Sequence, residues 1–95
     1  MSAEAKELLA TAQGILEQRG KQYGDAECLF RQIAVRFSLV LGVPVTAYEA
    51  ARLLAELKNA RMDLADGYHK DSAIDAINYI AIAGAIADGK KTQKS

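Results

Sequence analysis

The sequence predicts an all-α fold with four helices in a single domain. Apolar residues recur at the three- and four-residue spacing of a helix, and no segment alternates with the period of two that a half-buried strand requires. The predicted helices span about residues 3–18, 25–41, 47–65 and 72–87. A chain of 95 residues can bury one modest core. We therefore expect one helical domain over residues 1–89, followed by a polar C-terminal tail over residues 90–95.

The first two helices each carry one apolar face. In helix one this face comprises Ala5, Leu8, Leu9, Ala12, Ile15 and Leu16. In helix two the inward residues are predicted to be Leu29, Phe30, Ile33, Phe37 and Val40. Arg19-Gly20 should end helix one, because glycine is the usual residue just past a helix C-terminus. Asp25 should cap the start of helix two, Gly42 should end it, and Cys28 is expected to be a small core residue.

Helix three has the clearest boundaries of the four. Thr46 and Glu49 have the spacing of a capping box, in which each side chain satisfies a free amide of the other residue. Asp66-Gly67 should end the helix. Its predicted apolar face contains Ala50, Leu53, Leu54, Leu57, Ala60 and Leu64. On a wheel of about 100° per residue, Arg61 lies in the middle of this face and Lys58 at its edge.

Helix four, with Asp71 or Ser72 as its expected cap, is apolar nearly all the way round. Such a helix is either the inner helix of a bundle or is shared with another subunit. We expect a homo-oligomer, because small helical domains often complete their cores by two-fold association. Ile82 and Ile86 are predicted to contribute to the subunit interface.

Composition narrows the functional classes. Lysine and arginine number 12, as do aspartate and glutamate, so the net charge is zero and no direct DNA binding is expected. The longest apolar run is far shorter than the roughly 20 residues that span a bilayer, so no membrane partner is expected. The N-terminus lacks the pattern of a signal peptide, and a single cysteine excludes an internal disulfide. We therefore expect a cytoplasmic protein.

The strongest candidate site consists of charged residues on two apolar helices. Lys58 and Arg61 lie on helix three, and Asp71 and Asp75 lie on or next to helix four. Buried charges are costly unless they meet each other or a ligand. One interpretation is a phosphate or metal–phosphate site, with cations binding oxyanions and carboxylates holding Mg²⁺. The other is a buried ion-pair network that fixes helix register. Arg61 and Asp75 are the predicted direct partners.

Three other features have competing interpretations. Glu49, Glu56 and Asp63 are spaced by seven on one face of helix three, a pattern typical of the solvated side of an amphipathic helix. His69 lies in a turn without a second histidine or a cysteine nearby, so it is a general base, a phosphate donor or an ordinary surface residue. Tyr23 either stacks on a base or closes a corner between two helices. Glycine-rich phosphate loops, CxxC and HExxH are absent.

Four segments together resemble a family of small phage and prophage proteins of unknown function. They are RGKQYGD (19–25), FRQIAVRFSLVLG (30–42), LLAELKNAR (53–61) and HKDSAIDAINYIAIAG (69–84). Members of that family show a YGD link, an LxKxAR helix and a final HxDxxxDxxxY helix. Its layout is similar to the all-α nucleoside triphosphate pyrophosphohydrolases, the MazG and dimeric dUTPase group. Those enzymes carry EExxE and ExxD helices whose acids hold Mg²⁺ over the triphosphate.

The resemblance implies a nucleotide ligand, with Mg²⁺ at Asp71, Asp75 and Glu56 and phosphate at Lys58 and Arg61. This sequence lacks EExxE, and its two helix-four acids are four residues apart rather than three. Two hypotheses follow. The first hypothesis is a MazG-like protein that binds a nucleoside triphosphate with Mg²⁺. A stronger version of this hypothesis adds hydrolysis of the bound nucleotide. The second is a non-enzymatic phage accessory protein that acts by protein–protein interaction, such as an inhibitor of a host defence complex, in the host cytoplasm.

Overall fold

The chain folds into four helices, as the sequence predicts. A computed structural model describes the backbone of residues 2–94 and the side chains of residues 3–22 and 24–89. The helices are α1 Ser2–Tyr23, α2 Ala26–Leu41, α3 Ala47–Leu64 and α4 Lys70–Lys94. Within residues 2–94 there is no β-strand. The all-α fold of four helices in a compact domain is therefore confirmed.

Two helices are longer than the glycine pattern predicts. Helix α1 passes through Gly20 and ends only at Tyr23, where Gly24 takes a φ of 83° and its N–H donates to the Gly20 carbonyl at 2.9 Å. Helix α4 likewise continues past Gly89. A glycine inside a helix costs only about 1 kcal/mol relative to alanine, which packing readily offsets. The glycine that ends α1 is the one whose backbone leaves the helical region.

The predicted caps of α2 and α3 are confirmed. The Asp25 carboxylate accepts from the Glu27 N–H at 3.1 Å, and Gly42 ends α2 with a φ of 74°. The N–H of Glu49 donates to the Thr46 hydroxyl at 3.0 Å, and the N–H of Thr46 donates to the Glu49 carboxylate at 2.9 Å. The backbone N–H of Thr46, and after it the Thr46 hydroxyl, hold the pKa of Glu49 below its ordinary value.

The cap of α4 is a different residue from the two predicted. The N–H of Ala73 donates to the His69 carbonyl at 2.9 Å, so the helix begins after His69. The His69 Nδ1 accepts from the Ser72 N–H at 3.3 Å and lies 2.8 Å from the Ser72 hydroxyl oxygen. The imidazole nitrogen thus does for α4 what a serine or aspartate oxygen does at an ordinary N-cap. Neither Asp71 nor Ser72 is the cap, because both lie inside the first turn.

The helices pack in an open arrangement around the α3–α4 pair. Contacts are most extensive between α3 and α4, while α1 packs mainly on α4 and α2 mainly on α3. Direct contact between α1 and α2 is slight. This leaves a cleft between these two outer helices, over the surface of α4.

The core is built largely from alanine. Ten hydrophobic side chains are buried among the described residues, and seven of them are Ala12, Ala34, Ala47, Ala50, Ala51, Ala55 and Ala83. The large members are Phe30, Ile74 and Ile86. Small side chains let α3 and α4 approach closely, which is why the alanine side of α3 faces inward. Several residues predicted to face inward are instead exposed: Leu9, Cys28, Leu29, Val40, Leu53, Leu57, Ala60 and Leu64.

The predicted role of Ile82 and Ile86 in a subunit interface is not supported. Ile86 is 4% exposed within a single chain, and Ile82 packs against the same core. Helix α4 is the inner helix of the bundle, which explains why its sequence is apolar on most sides.

Candidate functional site

An ion-pair cluster joins three helices at Asp75. One carboxylate oxygen, Oδ2, lies 3.1 Å from the Lys58 Nζ of α3, and the other, Oδ1, lies 3.3 Å from a guanidinium nitrogen of Arg19 on α1. The side chains of Asp75 and Lys58 are only 15% and 13% exposed, whereas that of Arg19 is 50% exposed. Asp75 therefore holds a nearly buried ammonium on one side and an accessible guanidinium on the other.

The cluster carries a net positive charge, since two cations face one carboxylate. Lys58 is committed to Asp75 in a largely dry environment, where the two charges compensate each other. Arg19 has five N–H donors in a planar fork, and one of its terminal nitrogens contacts Asp75. Its half-exposed guanidinium keeps donors for an oxyanion. Of the two cations, Arg19 is the one able to bind a ligand.

The predicted Arg61–Asp75 pair is wrong. Arg61 is exposed and makes no ion pair with the described residues. The buried side of α3 is centred on its alanines rather than on its leucines, which brings Lys58 inward and turns Arg61 out. Arg19 was not among the predicted site residues. The predicted end of helix one at Arg19-Gly20 is too early, because α1 continues to Tyr23 and so carries Arg19 within the helix.

The predicted magnesium ligands do not converge within one chain. Glu56 is exposed and its carboxylate accepts from the Asn59 side chain at 3.1 Å, while Asp71 is exposed in the first turn of α4. Both oxygens of Asp75 already face cations. Over the part of the chain with described side chains, no three histidine, cysteine or acidic residues come together in a way that could hold a metal. These residues therefore do not fit a magnesium site made by a single chain.

The other two candidates have separate outcomes. His69 is exposed but is engaged in capping α4. The side chain of Tyr23 lies outside those that the structure describes.

The cleft between α1 and α2 adjoins the Asp75 cluster. It has a volume of about 680 Å³, and Arg19 and Asp25 lie along its lining. Its walls are mainly apolar and include Leu16, Leu29, Phe30, Ile33, Leu54 and Ile82. Clefts of a few hundred cubic ångströms with apolar walls and a few polar groups are typical small-molecule sites.

Two polar side chains of α4 lie in this cleft. Asn78 is 6% exposed, and its amide nitrogen donates to the Ala12 carbonyl at 3.0 Å. Because a carbonyl can only accept, this bond fixes the orientation of the carboxamide. No described residue donates to the Asn78 Oδ1, although that oxygen keeps access to the cleft. Next to it, the ring of Tyr79 packs edge-on against Phe30, with centroids 5.9 Å apart.

Comparison with known proteins identifies a family at this point. Residues 7–87 match the family described as Domain of unknown function (DUF6378). The chain belongs to this family. The match includes Arg19, Lys58, Asp75 and the whole lining of the cleft, so both features lie within the DUF6378 domain. No curated protein and no solved structure matches the chain.

The other face of α2 borders a second, shallower groove in this DUF6378 domain. Its volume is about 640 Å³, and its lining includes Val35, Leu39 and Val43 beside the Glu27–Arg31 ion pair of 3.3 Å. No helix in the described part of the chain is both long enough and apolar enough to cross a membrane.

Proposed function

We propose that this protein binds a nucleoside phosphate in the cleft between α1 and α2. The observation that carries the proposal is the buried Asn78, whose Oδ1 is an unpartnered acceptor on the wall of an apolar cleft. No described residue donates to this oxygen and it is not fully buried, so a ligand N–H placed there would form a hydrogen bond in place of water. A nucleobase offers such an N–H on the edge of a flat, largely apolar ring.

The cleft suits the two parts of a nucleotide. The base lies against the apolar walls beside the half-buried Tyr79, where a base–aromatic contact is favourable. The phosphates lie at Arg19, whose planar donors match the geometry of a phosphate. The resemblance of the sequence to the MazG group favours a triphosphate. Lys58 acts indirectly, because it shares Asp75 with Arg19 and so helps to position the guanidinium.

We propose that a single chain binds the nucleotide and does not hydrolyse it. In this proposal Mg²⁺ arrives with the ligand, coordinated to phosphate oxygens as is usual for this ion. Asp71 and Glu56 are not assigned to it, since no three acidic, histidine or cysteine side chains come together as a metal site among the described residues. Arg61 is not assigned to phosphate, because it does not belong to the Asp75 cluster.

Thermal melting with a ligand panel tests this proposal. The panel contains the common ribo- and deoxyribonucleoside triphosphates, a nucleoside alone and inorganic tripolyphosphate, each with and without Mg²⁺. A ligand present at 100 times its Kd stabilises by about 2.7 kcal/mol, or about 10–20 °C in a domain of this size. We expect at least one nucleoside triphosphate to raise the melting temperature more than its nucleoside or tripolyphosphate does.

Three variants locate the effect. Arg19→Gln removes the phosphate contact and should abolish most of the shift, while Arg31→Gln changes an exposed arginine on the opposite groove and should leave it intact. Ala81→Phe places a large ring in the cleft at an exposed position and should block the base. A flat response to every ligand, or equal shifts in both arginine variants, would show that the cleft is not a nucleotide site.

One observation favours a second function, binding to another protein. Leu39 and Val40, at the end of α2, are 78% and 83% exposed. Large apolar side chains that stay this exposed in adjacent positions are common at protein interaction sites. A flat nucleotide response, together with loss of binding to a purified defence complex in Leu39→Lys/Val40→Lys, would establish the accessory-protein function instead.

A further inference from the structure

Helix α3 presents a leucine stripe to solvent. Leu53, Leu57, Ala60 and Leu64 are all exposed, with Leu64 at 90%, and they follow one another at intervals of four, three and four residues. That spacing is the heptad seam of a coiled coil, in which such residues pack against a second helix. The inward side of the same helix is filled by alanines. The leucines therefore have no partner helix within the described part of the chain.

The two sides of this leucine stripe carry opposite charges. Counting about 100° per residue from Leu53, Glu56 lies about 60° to one side and Arg61 about 80° to the other. Both are exposed; Glu56 contacts only the Asn59 side chain, and Arg61 has no ion-pair partner among the described residues. In heptad terms Glu56 and Arg61 occupy the two flanking positions that form salt bridges between paired helices.

We propose that a second copy of this chain covers the leucine stripe, with the two α3 helices parallel and related by a two-fold axis. In a parallel pair, the flanking residue on one side of a helix faces the residue five positions further on in the other helix. Glu56 then faces the partner's Arg61, and the symmetry repeats this contact. An antiparallel pair would instead bring the acidic sides of the two helices together. The charges thus select both the orientation and the register.

Self-association fits this face better than a foreign partner does. A two-fold interface must be complementary to itself, and a leucine stripe with acid on one side and arginine on the other meets that condition. Pairing would also add a layer of leucine packing to a core that is mostly alanine. The proposal is independent of nucleotide binding, since of the four stripe residues none lines the cleft.

Charge reversal tests the arrangement by sedimentation. The wild type should sediment at twice the 10.2 kDa mass of one chain at tens of micromolar. In the dimer of Glu56→Lys, the lysine at position 56 faces the partner's arginine at position 61. In the dimer of Arg61→Glu, the glutamates at positions 56 and 61 face each other across the interface. Each single variant should raise the dimer dissociation constant by about tenfold, because two exposed ion pairs become two repulsions. The double variant Glu56→Lys/Arg61→Glu should recover wild-type affinity. Glu17→Lys on α1 makes the same change in net charge as Glu56→Lys and should have no effect on the dimer dissociation constant.

Mixing the two single variants gives the sharpest outcome. In a mixed parallel dimer both contacts become attractive, so the mixture should dimerise more tightly than either variant alone. In Cys28→Ser/Leu64→Cys, mild oxidation should link the partner chains through the new thiols at the end of the stripe, because equivalent residues there face each other in a parallel pair and are separated in an antiparallel one. Circular dichroism checks that each variant is folded. A monomeric wild type, or variants that do not recover on mixing, would overturn the proposal.

Discussion

Replacing Asp75 by alanine should destabilise the protein strongly, because it leaves the Lys58 ammonium nearly buried without a counter-charge. Breaking a fully buried ion pair typically costs about 3–5 kcal/mol. Asp75 and Lys58 are 15% and 13% exposed, so water reaches both to some extent and the penalty is smaller. We expect a loss of about 2–3 kcal/mol, at or just below the lower end of that range because both side chains are partly exposed. In a domain of this size that corresponds to a melting temperature lower by about 10–20 °C.

Matched variants separate burial from charge. Arg19→Met removes the other partner of Asp75, but its side chain is half exposed, so the cost should stay below about 1 kcal/mol. Lys58→Met with Asp75→Leu replaces the buried pair by apolar groups and should recover much of the loss. Urea unfolding followed by circular dichroism measures each value. All variants must be compared at one protein concentration, because association shifts apparent stability.

The outcome for Asp75→Ala decides whether the cluster is structural. If that variant loses no more stability than Arg19→Met, the ammonium of Lys58 finds water and the buried pair does not hold the helices together. If the apolar double variant is as unstable as Asp75→Ala, the loss comes from packing around position 75 rather than from the uncompensated charge.

Three further predictions concern the helix ends. His69→Ala should lower stability by about 1 kcal/mol, because the N-cap acceptor for Ser72 is lost, and His69→Asn should restore most of it in the same urea titration. Gly42→Ala should lower the free energy of unfolding by about 1 kcal/mol because of the φ of 74° alone, since an added Cβ meets no atom within 4 Å. A denaturation midpoint equal to that of the wild type would contradict this. The lowered pKa of Glu49 means that its ionised form contributes stability above pH 4.5, lost as pH falls through the folded-state pKa. Glu49→Gln should therefore melt below the wild type at about pH 7, and the gap between their melting temperatures should narrow as the pH falls below 4.5; a gap that stays constant in acid would exclude ionisation as its cause.

The helices and most of their ends could be predicted because their causes are local. The capping box of Thr46 and Glu49 and the cap at Asp25 depend on atoms within four residues of each other. His69 was missed as a cap because a ring nitrogen is a rare substitute for a side-chain oxygen at that position. The end of α1 was misplaced because the sequence cannot tell which of two nearby glycines, Gly20 or Gly24, adopts a positive φ.

The buried side of each helix could not be predicted from local pattern. Helix α3 has apolar residues over more than half of its circumference, and a wheel places the core at the largest of them. The structure instead buries Ala47, Ala51 and Ala55, because close approach to α4 requires small side chains. That choice depends on the partner helix, which the wheel does not contain. Because the wheel centres the buried side of α3 on the leucines, it places Arg61 inward and Lys58 at the edge, whereas the structure nearly buries Lys58 and exposes Arg61.

The rotation of α3 also makes the two proposed surfaces separable. Leu54 lines the cleft. On the helical wheel it lies about 100° from Leu53, which is near the centre of the leucine stripe. A substitution on the stripe can therefore weaken pairing without touching the cleft, and Arg19→Gln can remove a phosphate contact without touching the stripe. If Glu56→Lys abolished both dimerisation and a nucleotide shift, the ligand site would have to include residues from both chains. The acids that stay apart in one chain would then become candidates to meet across the two-fold axis.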